Sequence, residues 1–292
     1  MKHKADFIPF LWSGAIFLIC LGLALLATRR EIDVIETGQI GIPSVSAGPP
    51  LIYFFGLAVL LGVILYLIPI SRLRLALRIL FGFSFSWGAF VLFWLFVTLP
   101  VAAALAAGAG LTWLLKPQIW LHNLLLVLTL TSLGSVFGLI FSPWTVALIM
   151  SFIAVYDFLA VRFGYMQWMA QKLAESDTLP AFFIPKKIAD WKSSLKGPAL
   201  KRLFEDKVEK EFSVLGGGDI GFPLLLAVSV MFVSGIPRAL VVAAFSLLGL
   251  VFAYLIHIFY MKGKATPALP AIFLASLVGL LVVRFALPGT KS

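Results

Sequence analysis

Two aspartates lie inside long apolar stretches of this sequence, and they are the residues best placed to do chemistry. Asp157 and Asp219 have no basic partner at the same depth in their own stretches, since Arg162 follows Asp157 only near the end of its stretch. Carboxylates in hydrocarbon are costly and mark functional sites or ion pathways by default. Two facing carboxylates would share one proton, one acting as base and the other as acid. Such a pair can activate water for hydrolysis of a peptide bond.

The two acids are predicted to lie at the same depth in the membrane. Asp157 comes about five residues before the end of one helix, and Asp219 a similar number after the start of the next, which places both roughly 8–10 Å below one membrane face. Consecutive antiparallel helices usually neighbour one another. We therefore expect the two carboxylates to face each other.

The residues around the acids suggest a site for a peptide backbone. Gly216, Gly217 and Gly218 immediately precede Asp219. Each glycine weakens a helix by about 1 kcal/mol relative to alanine and removes a side chain that would hold another backbone away. A flexible helix end is the alternative explanation. A further segment, Pro267-Ala268-Leu269-Pro270, lacks two N–H donors and can present unpaired carbonyls to a neighbour.

The elements that carry these residues are predicted from composition and hydropathy. The 292 residues are 61% hydrophobic and 12% charged, with a mean hydropathy of +1.06, which excludes an ordinary soluble domain. The long apolar runs do not alternate as barrel strands do. The fold class is therefore an all-α polytopic membrane protein with nine transmembrane helices. The predicted crossings are 7–27, 51–70, 79–99, 101–115, 121–141, 144–161, 214–234, 238–260 and 267–287.

Two of these crossings carry further expectations. The fourth is rich in small residues from Ala102 to Gly110, which favour close helix contacts, so we expect an interior helix. Its separation from the third crossing depends on Pro100. The first could be a secretory signal peptide, but its apolar stretch is long and lacks a clear cleavage site. We therefore predict a retained helix.

The distribution of Lys and Arg predicts the topology. Most of the 23 Lys and Arg fall on one side if the amino terminus is cytoplasmic and the carboxy terminus outside. The net charge of +10 then reflects topology and does not predict a nucleic-acid partner. The chain divides into an amino-terminal half (1–161), a cytoplasmic hydrophilic loop (162–213) and a carboxy-terminal half (214–292). Within the loop, residues 198–212 fit either an amphipathic helix on the membrane surface or a solvated linker.

These motifs together resemble the presenilin and signal peptide peptidase family of GxGD intramembrane aspartic proteases, especially its archaeal-type members. The resemblance rests on Tyr156-Asp157, on the Gly-x-Gly-Asp that ends at Asp219, and on Pro267-Ala268-Leu269, in that order along nearly the whole chain. It implies the presenilin-like fold, an aspartic endopeptidase activity and a prokaryotic cell membrane. The implied substrates are transmembrane proteins or signal peptides in a lipid bilayer, with no cofactor; a homo-oligomer is left open.

The resemblance also assigns roles to residues. It implies that Asp157 and Asp219 are catalytic. The residues implied to bind substrate are Tyr156, Gly216, Gly217, Gly218, Pro267, Ala268 and Leu269. Gly217 differs from the larger residues common in eukaryotic relatives, which leaves substrate selectivity open. A substrate opened from its helix is expected to pair with residues 212–215 as an added strand.

Other residues give weaker signals. Cys20 has no partner cysteine and is predicted to be a packing residue, and His257 is expected to be a packed interior side chain. The histidines are too scattered for a metal site. Two alternative functions use the same acids. One is a prepilin-type GxGD peptidase, which would not need the Pro267–Pro270 segment, and the other is a proton-coupled transporter or cation channel.

Overall fold

Most of the chain is helical, because a backbone in hydrocarbon satisfies its N–H and C=O groups within a single helix. The computed structural model describes residues 2–38, 48–195, 212–261 and 266–286. The helices in these ranges are α1 (Lys2–Glu36), α2 (Gly48–Leu67), α3 (Ile70–Trp94), α4 (Leu99–Leu115), α5 (Ile119–Ile140), α6 (Pro143–Arg162), α7 (Tyr165–Glu175), α8 (Gly217–Ser234), α9 (Ile236–Phe259) and α10 (Leu269–Phe285). A 3-10 helix spans Ile188–Lys192, and strands β1 (Ala181–Pro185) and β2 (Phe212–Gly216) form an antiparallel pair.

Each predicted crossing overlaps one of these helices, which confirms a helical membrane protein. Six helices in the described residues are long and apolar enough to cross a membrane, namely α1, α3, α5, α6, α8 and α9. Three further apolar helices are shorter, and they comprise Phe55–Leu67 within α2, all of α4 and all of α10. The number of nine crossings is therefore not confirmed.

The helix ends differ from the predicted ends of the apolar runs. Helix α1 continues to Glu36, and α3 begins at Ile70, well before the predicted start of its crossing. Arginines interrupt an apolar run, but they are good helix formers and do not end a helix. The predicted break between the third and fourth crossings is confirmed, since α3 ends at Trp94 and α4 begins at Leu99, with Pro100 in its first turn.

The chain folds as two compact units, which we call unit 1 and unit 2. Unit 1 comprises Met1–Ile16, Gly48–Ser132 and Gly164–Gly217. Unit 2 comprises Phe17–Ala47, Leu133–Phe163 and Gly218–Ser292. The predicted division into two halves and a loop remains a prediction.

The part of the predicted loop that belongs to unit 1 contains regular secondary structure, although its sequence is hydrophilic. Helix α7 and strand β1 lie within the predicted loop, and all five residues of β1 are buried. Ala181 and Phe183 of β1 belong to a core that also includes Leu65, Ile119 and Leu173. This part of the loop is therefore not a solvated linker. The predicted amphipathic piece at 198–212 lies outside the described residues, apart from Phe212.

Helix α4 of unit 1 uses its small residues for close packing but is not an interior helix. Ala102, Ala106, Gly110 and Trp113 are buried along one stripe, while the other faces are largely exposed. A Cβ atom on Gly110 would lie 2.9 Å from the carbonyl oxygen of Gly82 on α3. The small residues thus let α3 and α4 approach closely along a single face, which corrects the expectation of an interior helix.

In unit 2, helices α9 and α10 pack at very short range. A Cβ atom on Gly249 of α9 would lie 2.6 Å from the Cα atom of Ile272 on α10. The buried hydroxyls of Ser246 and Ser276 are 2.7 Å apart across the same contact. Because α10 begins at Leu269, this contact also sets the position of the Pro267–Pro270 segment.

Candidate active site

Helix α6 of unit 2 carries Asp157. The helix begins where the Ser142 side chain accepts a hydrogen bond from the Thr145 N–H at 3.1 Å, with Pro143 at its first position. Both features are favoured at helix starts. The helix ends at Arg162, so Asp157 lies five residues before its end, as predicted. The side chain is buried, with 6% of its surface exposed.

The carboxylate of Asp157 contacts the start of α10. Its Oδ2 atom accepts a hydrogen bond from the backbone N–H of Leu269 at 3.2 Å, and the backbone of Ala268 lies beside it. Leu269 is the first residue of α10, and Ala268 is its N-cap. The first N–H groups of a helix have no partner within the helix and attract negative charge. The structure therefore brings Asp157 together with two residues of the predicted Pro-Ala-Leu motif.

Asp219 lies in the first turn of α8 and is partly buried. The prediction of about five helical residues before it is wrong, since α8 begins only at Gly217. The reason is the glycine run, in which Gly216 ends strand β2 and Gly217 begins the helix without an intervening loop. Asp157 and Asp219 belong to the same unit. Their sharing of one proton remains a prediction.

Gly217, one of the glycines before Asp219, allows close approach of a backbone, but this backbone belongs to the chain itself, and docking of a substrate backbone stays a prediction. The N–H of Gly217 donates to the carbonyl oxygen of Pro180 at 3.0 Å. A Cβ atom on Gly217 would lie 3.0 Å from that same oxygen. Gly216 pairs with Ala181 in the sheet of unit 1. In unit 2, a Cβ atom on Gly218 would come within 3.3 Å of the Phe222 ring.

Comparison with known proteins identifies the family. The family model described as signal-peptide peptidase, presenilin aspartyl protease matches residues 14–287. The chain belongs to this family. It is therefore an intramembrane aspartic protease, and the resemblance noted from its motifs is confirmed.

Solved structures share the fold of this protease. One is described as a presenilin family intramembrane aspartate protease in space group C222. Its sequence is 19% identical to this chain, the TM-score is 0.63, and the match covers 96% of this chain and 100% of that chain. A second, described as such a protease in space group P2, is 20% identical with a TM-score of 0.60, covering 97% and 100% of the two chains. No curated protein sequence matches this chain.

The remaining predicted site residues of the protease lie in unit 2. Tyr156 is partly buried on α6 and, being adjacent to Asp157 in a helix, points about 100° away from it around the axis. Pro267 is partly buried two residues before the start of α10. Among the described residues, no three His, Cys, Asp or Glu side chains could hold a metal ion together.

Two weaker predictions concern residues of unit 2 outside the motifs. Cys20 is fully buried, as expected for a packing residue. His257 is only partly buried, and its Nδ1 atom lies 2.8 Å from the hydroxyl of Thr266. It is therefore less enclosed than the predicted interior residue.

Sequence reasoning missed a buried carboxylate in unit 2 of this protease. Glu31 of α1 has 9% of its surface exposed, and its Oε1 atom accepts a hydrogen bond from the Ser135 hydroxyl at 2.9 Å. The predicted first crossing, 7–27, stops before the charged residues Arg29 and Arg30, so Glu31 lay outside it. The apolar residues that follow them, such as Ile32, were the signal that the helix continues.

Sequence reasoning also missed two polar side chains of unit 1 that hold strand β1. His122 and Asn123 are buried near the start of α5, and both contact the backbone of β1. The sequence offered one signal, since adjacent polar residues inside an apolar crossing need partners.

Proposed function

We propose that this protease hydrolyses peptide bonds within or near the transmembrane segments of membrane proteins or signal peptides, with Asp157 and Asp219 as its catalytic pair. The observation that carries the proposal is the hydrogen bond from the Leu269 N–H to Asp157. It connects two motifs that are more than 100 positions apart in the chain. A buried carboxylate with one defined backbone donor is oriented for chemistry, since its rotation is restricted.

The proposed reaction is general acid–base hydrolysis by water. One aspartate takes a proton from water as the oxygen attacks the scissile carbonyl carbon, while the protonated aspartate donates its proton to the carbonyl oxygen. As the tetrahedral intermediate collapses, one of its hydroxyls returns a proton to the second aspartate and the C–N bond breaks, while the amine nitrogen leaves with the proton that the first aspartate took from water. The two products are a carboxylate and an amine, and the pair returns to sharing one proton.

The Pro267-Ala268-Leu269 segment is proposed to orient Asp157 and to help shape the substrate site. Pro267 has no N–H, so the donors nearest to Asp157 are those of Ala268 and Leu269. The buried side chain of Leu269 fixes this end of α10 in the core of unit 2. Shortening or shifting this segment would leave the Asp157 carboxylate in place but change the direction in which it points.

The outer edge of β2 is the proposed docking position for the opened substrate. Neighbouring residues of a strand direct their backbone groups to opposite edges. Phe183 of β1 uses its N–H and C=O on Asn123, so its partner in the sheet, Val214, directs its own groups away from β1. Phe212 has the same orientation as Val214. Strand β2 ends at Gly216, three positions before Asp219 in the sequence.

We also propose nine crossings, with the amino terminus in the cytoplasm and the carboxy terminus outside, in a prokaryotic cell membrane. The three shorter apolar helices support the larger number of crossings. The excess of Lys and Arg in segments on the predicted inner side supports the orientation.

Cleavage of a transmembrane peptide by the purified protease tests the proposal. The unchanged chain should release products cut within or beside the apolar segment. Asp157→Asn and Asp219→Asn should each reduce the rate at least about 1,000-fold, since an amide keeps the shape of the acid but cannot exchange its proton.

Glu31→Gln is the matched control. Glu31 is a buried carboxylate of the same unit, and glutamine keeps an acceptor for Ser135. Its rate should stay within about threefold of the unchanged chain, as expected for a residue outside the chemistry. Persistent cleavage in Asp157→Asn or Asp219→Asn would remove that residue from the pair.

A further inference from the structure

Strand β1 of unit 1 is closed along one edge by a side chain that takes the place of another strand. The Nδ2 group of Asn123 donates to the carbonyl oxygen of Phe183 at 2.7 Å, and its Oδ1 atom accepts from the N–H of Phe183 at 3.0 Å. A neighbouring strand would make the same two bonds with a residue in a hydrogen-bonded pair. Asn123 is buried, with 5% of its surface exposed, so water does not replace these bonds readily.

The adjacent residue extends this contact along the strand. The Nε2 atom of His122 lies 3.0 Å from the carbonyl oxygen of Ala181, two residues before Phe183. Residues two apart in a strand direct their backbone groups to the same edge. The start of α5 thus holds one edge of β1 at Ala181 and at Phe183.

The other edge of β1 faces β2 in a fixed register. Phe183 is paired with Val214 and Ala181 with Gly216. The bond from the Gly217 N–H to Pro180 follows the same alternation and continues the ladder to the first residue of α8. Since Asn123 determines which residues of β1 face β2, a slip of one residue would turn every side chain of β1 to the opposite face.

We propose that Asn123 is a positioning residue for proteolysis, which fixes the register of β1 and, through β2, the register of the bound substrate. This inference rests on the proposed function, and specifically on docking of the substrate as a strand on β2. Within the part of the chain that the structure describes, closure of one edge of β1 leaves β2 as the edge where the sheet can be extended. A slip of the β1–β2 register by one residue would direct the backbone groups of Ser213 and Leu215 outward instead of those of Phe212 and Val214, so the substrate would pair one residue further along β2.

The test uses the position of cleavage as well as its rate. Asn123→Leu keeps a similar volume but removes both bonds to Phe183. The expected result is a fall in cleavage rate of about tenfold and products cut at several neighbouring bonds, as read by mass spectrometry of one transmembrane peptide. Asn123→Ala, which adds no atoms to the core, should give the same spread of products, so the test does not depend on the folding of the leucine variant.

Thr129→Val is the matched control. Thr129 is a buried polar residue on the same helix, but its hydroxyl donates only to Leu125 of its own helix. The control should cut at the same bonds as the unchanged chain. Unchanged cleavage positions in both Asn123 variants, even with a lower rate or melting temperature, would overturn the inference. Asp157→Asn is assayed alongside the Asn123 variants. If Asp157→Asn is inactive while the Asn123 variants cut at unchanged positions, the inference about Asn123 is wrong and the proposed function stands.

Discussion

Buried polar side chains have different roles in the two units. In unit 1, Asn123 bonds to both backbone groups of Phe183, and Arg74 pairs with the buried Asp177 at 2.9 Å. These contacts hold a strand and the turn before it. In unit 2, the acid Asp157 is a buried side chain that bonds to a backbone group of another helix. In Asn123 and Asp157 the contact is of the same type, a side chain bonded to a backbone group, but the two side chains differ in their ability to exchange a proton.

The difference follows from protonation. An amide has a fixed donor and a fixed acceptor, and it cannot gain or lose a proton near neutral pH. A carboxylate oriented by one N–H can still exchange a proton. The contacts in unit 1 therefore provide a fixed scaffold, whereas the contact in unit 2 positions a reactive group. Changes in unit 1 should mainly alter stability or register, and changes in unit 2 should mainly alter the rate.

Apart from changes to the acids themselves, the largest effect is expected where helix packing sets the position of the residue that bonds to Asp157. In Gly249→Leu, the new side chain would collide with the backbone of α10 at Ile272 and displace Leu269 from Asp157. We expect cleavage to fall at least about 100-fold and the free energy of unfolding to fall by about 1–3 kcal/mol. Activity assays and thermal unfolding measure the two effects.

Gly22→Leu is the control for that change. Gly22 belongs to the same unit and has nothing within 4 Å of its Cβ position. It should behave like the unchanged chain. Equal loss of activity in both variants would mean that the contact between α9 and α10 has no special role.

An intermediate effect is expected from the ion pair of unit 1. Arg74→Ala leaves Asp177 buried without its partner, while Arg74 itself is 48% exposed, which reduces the cost. The expected loss is about 1–2 kcal/mol of unfolding free energy, with cleavage by the folded protein within about threefold of normal. Arg72→Ala, at an exposed position on the same helix, should cost less. Equal stability of the two variants would contradict a structural role for the pair.

The smallest effect is expected at the hydroxyl pair between α9 and α10. Each hydroxyl has one hydrogen, yet Ser246 and Ser276 have three hydrogen-bond contacts between them, two to carbonyls of their own helices. At most two can form at once. Ser246→Ala should therefore cost less than about 1 kcal/mol, as measured by denaturant unfolding. A cost above about 2 kcal/mol would show that the contact between the helices is the dominant bond.

Sequence reasoning predicted the acids because charge in an apolar run is conspicuous. Asp157, the Pro-Ala-Leu segment and the helical membrane class all follow from local patterns. Strand β1 was not predicted, because its pairing partner β2 lies about 30 residues later in the chain and the sequence between them is hydrophilic. Glu31 was missed because an apolar run predicts only the part of a helix within the membrane core, whereas α1 continues beyond its apolar run to Glu36.

The start of α8 and the contact of Asn123 with β1 were also beyond prediction. A glycine run lowers helix propensity but does not state where a strand ends and a helix begins, and here that boundary falls between Gly216 and Gly217. An asparagine in an apolar helix indicates that a partner exists without identifying it. In both cases the deciding contact is with a distant part of the chain.

The central claim is that Asp157 and Asp219 act as one pair, and a double-mutant cycle on inhibitor binding tests it most directly. The ligand is a peptide with a hydroxyl in place of the scissile carbonyl, which mimics the tetrahedral intermediate. We predict that Asp157→Asn, Asp219→Asn and the double variant each lose a similar affinity, about 100-fold, because either change breaks the pair. Glu31→Gln should bind normally. Losses that simply add in the double variant would contradict a pair and indicate two independent sites.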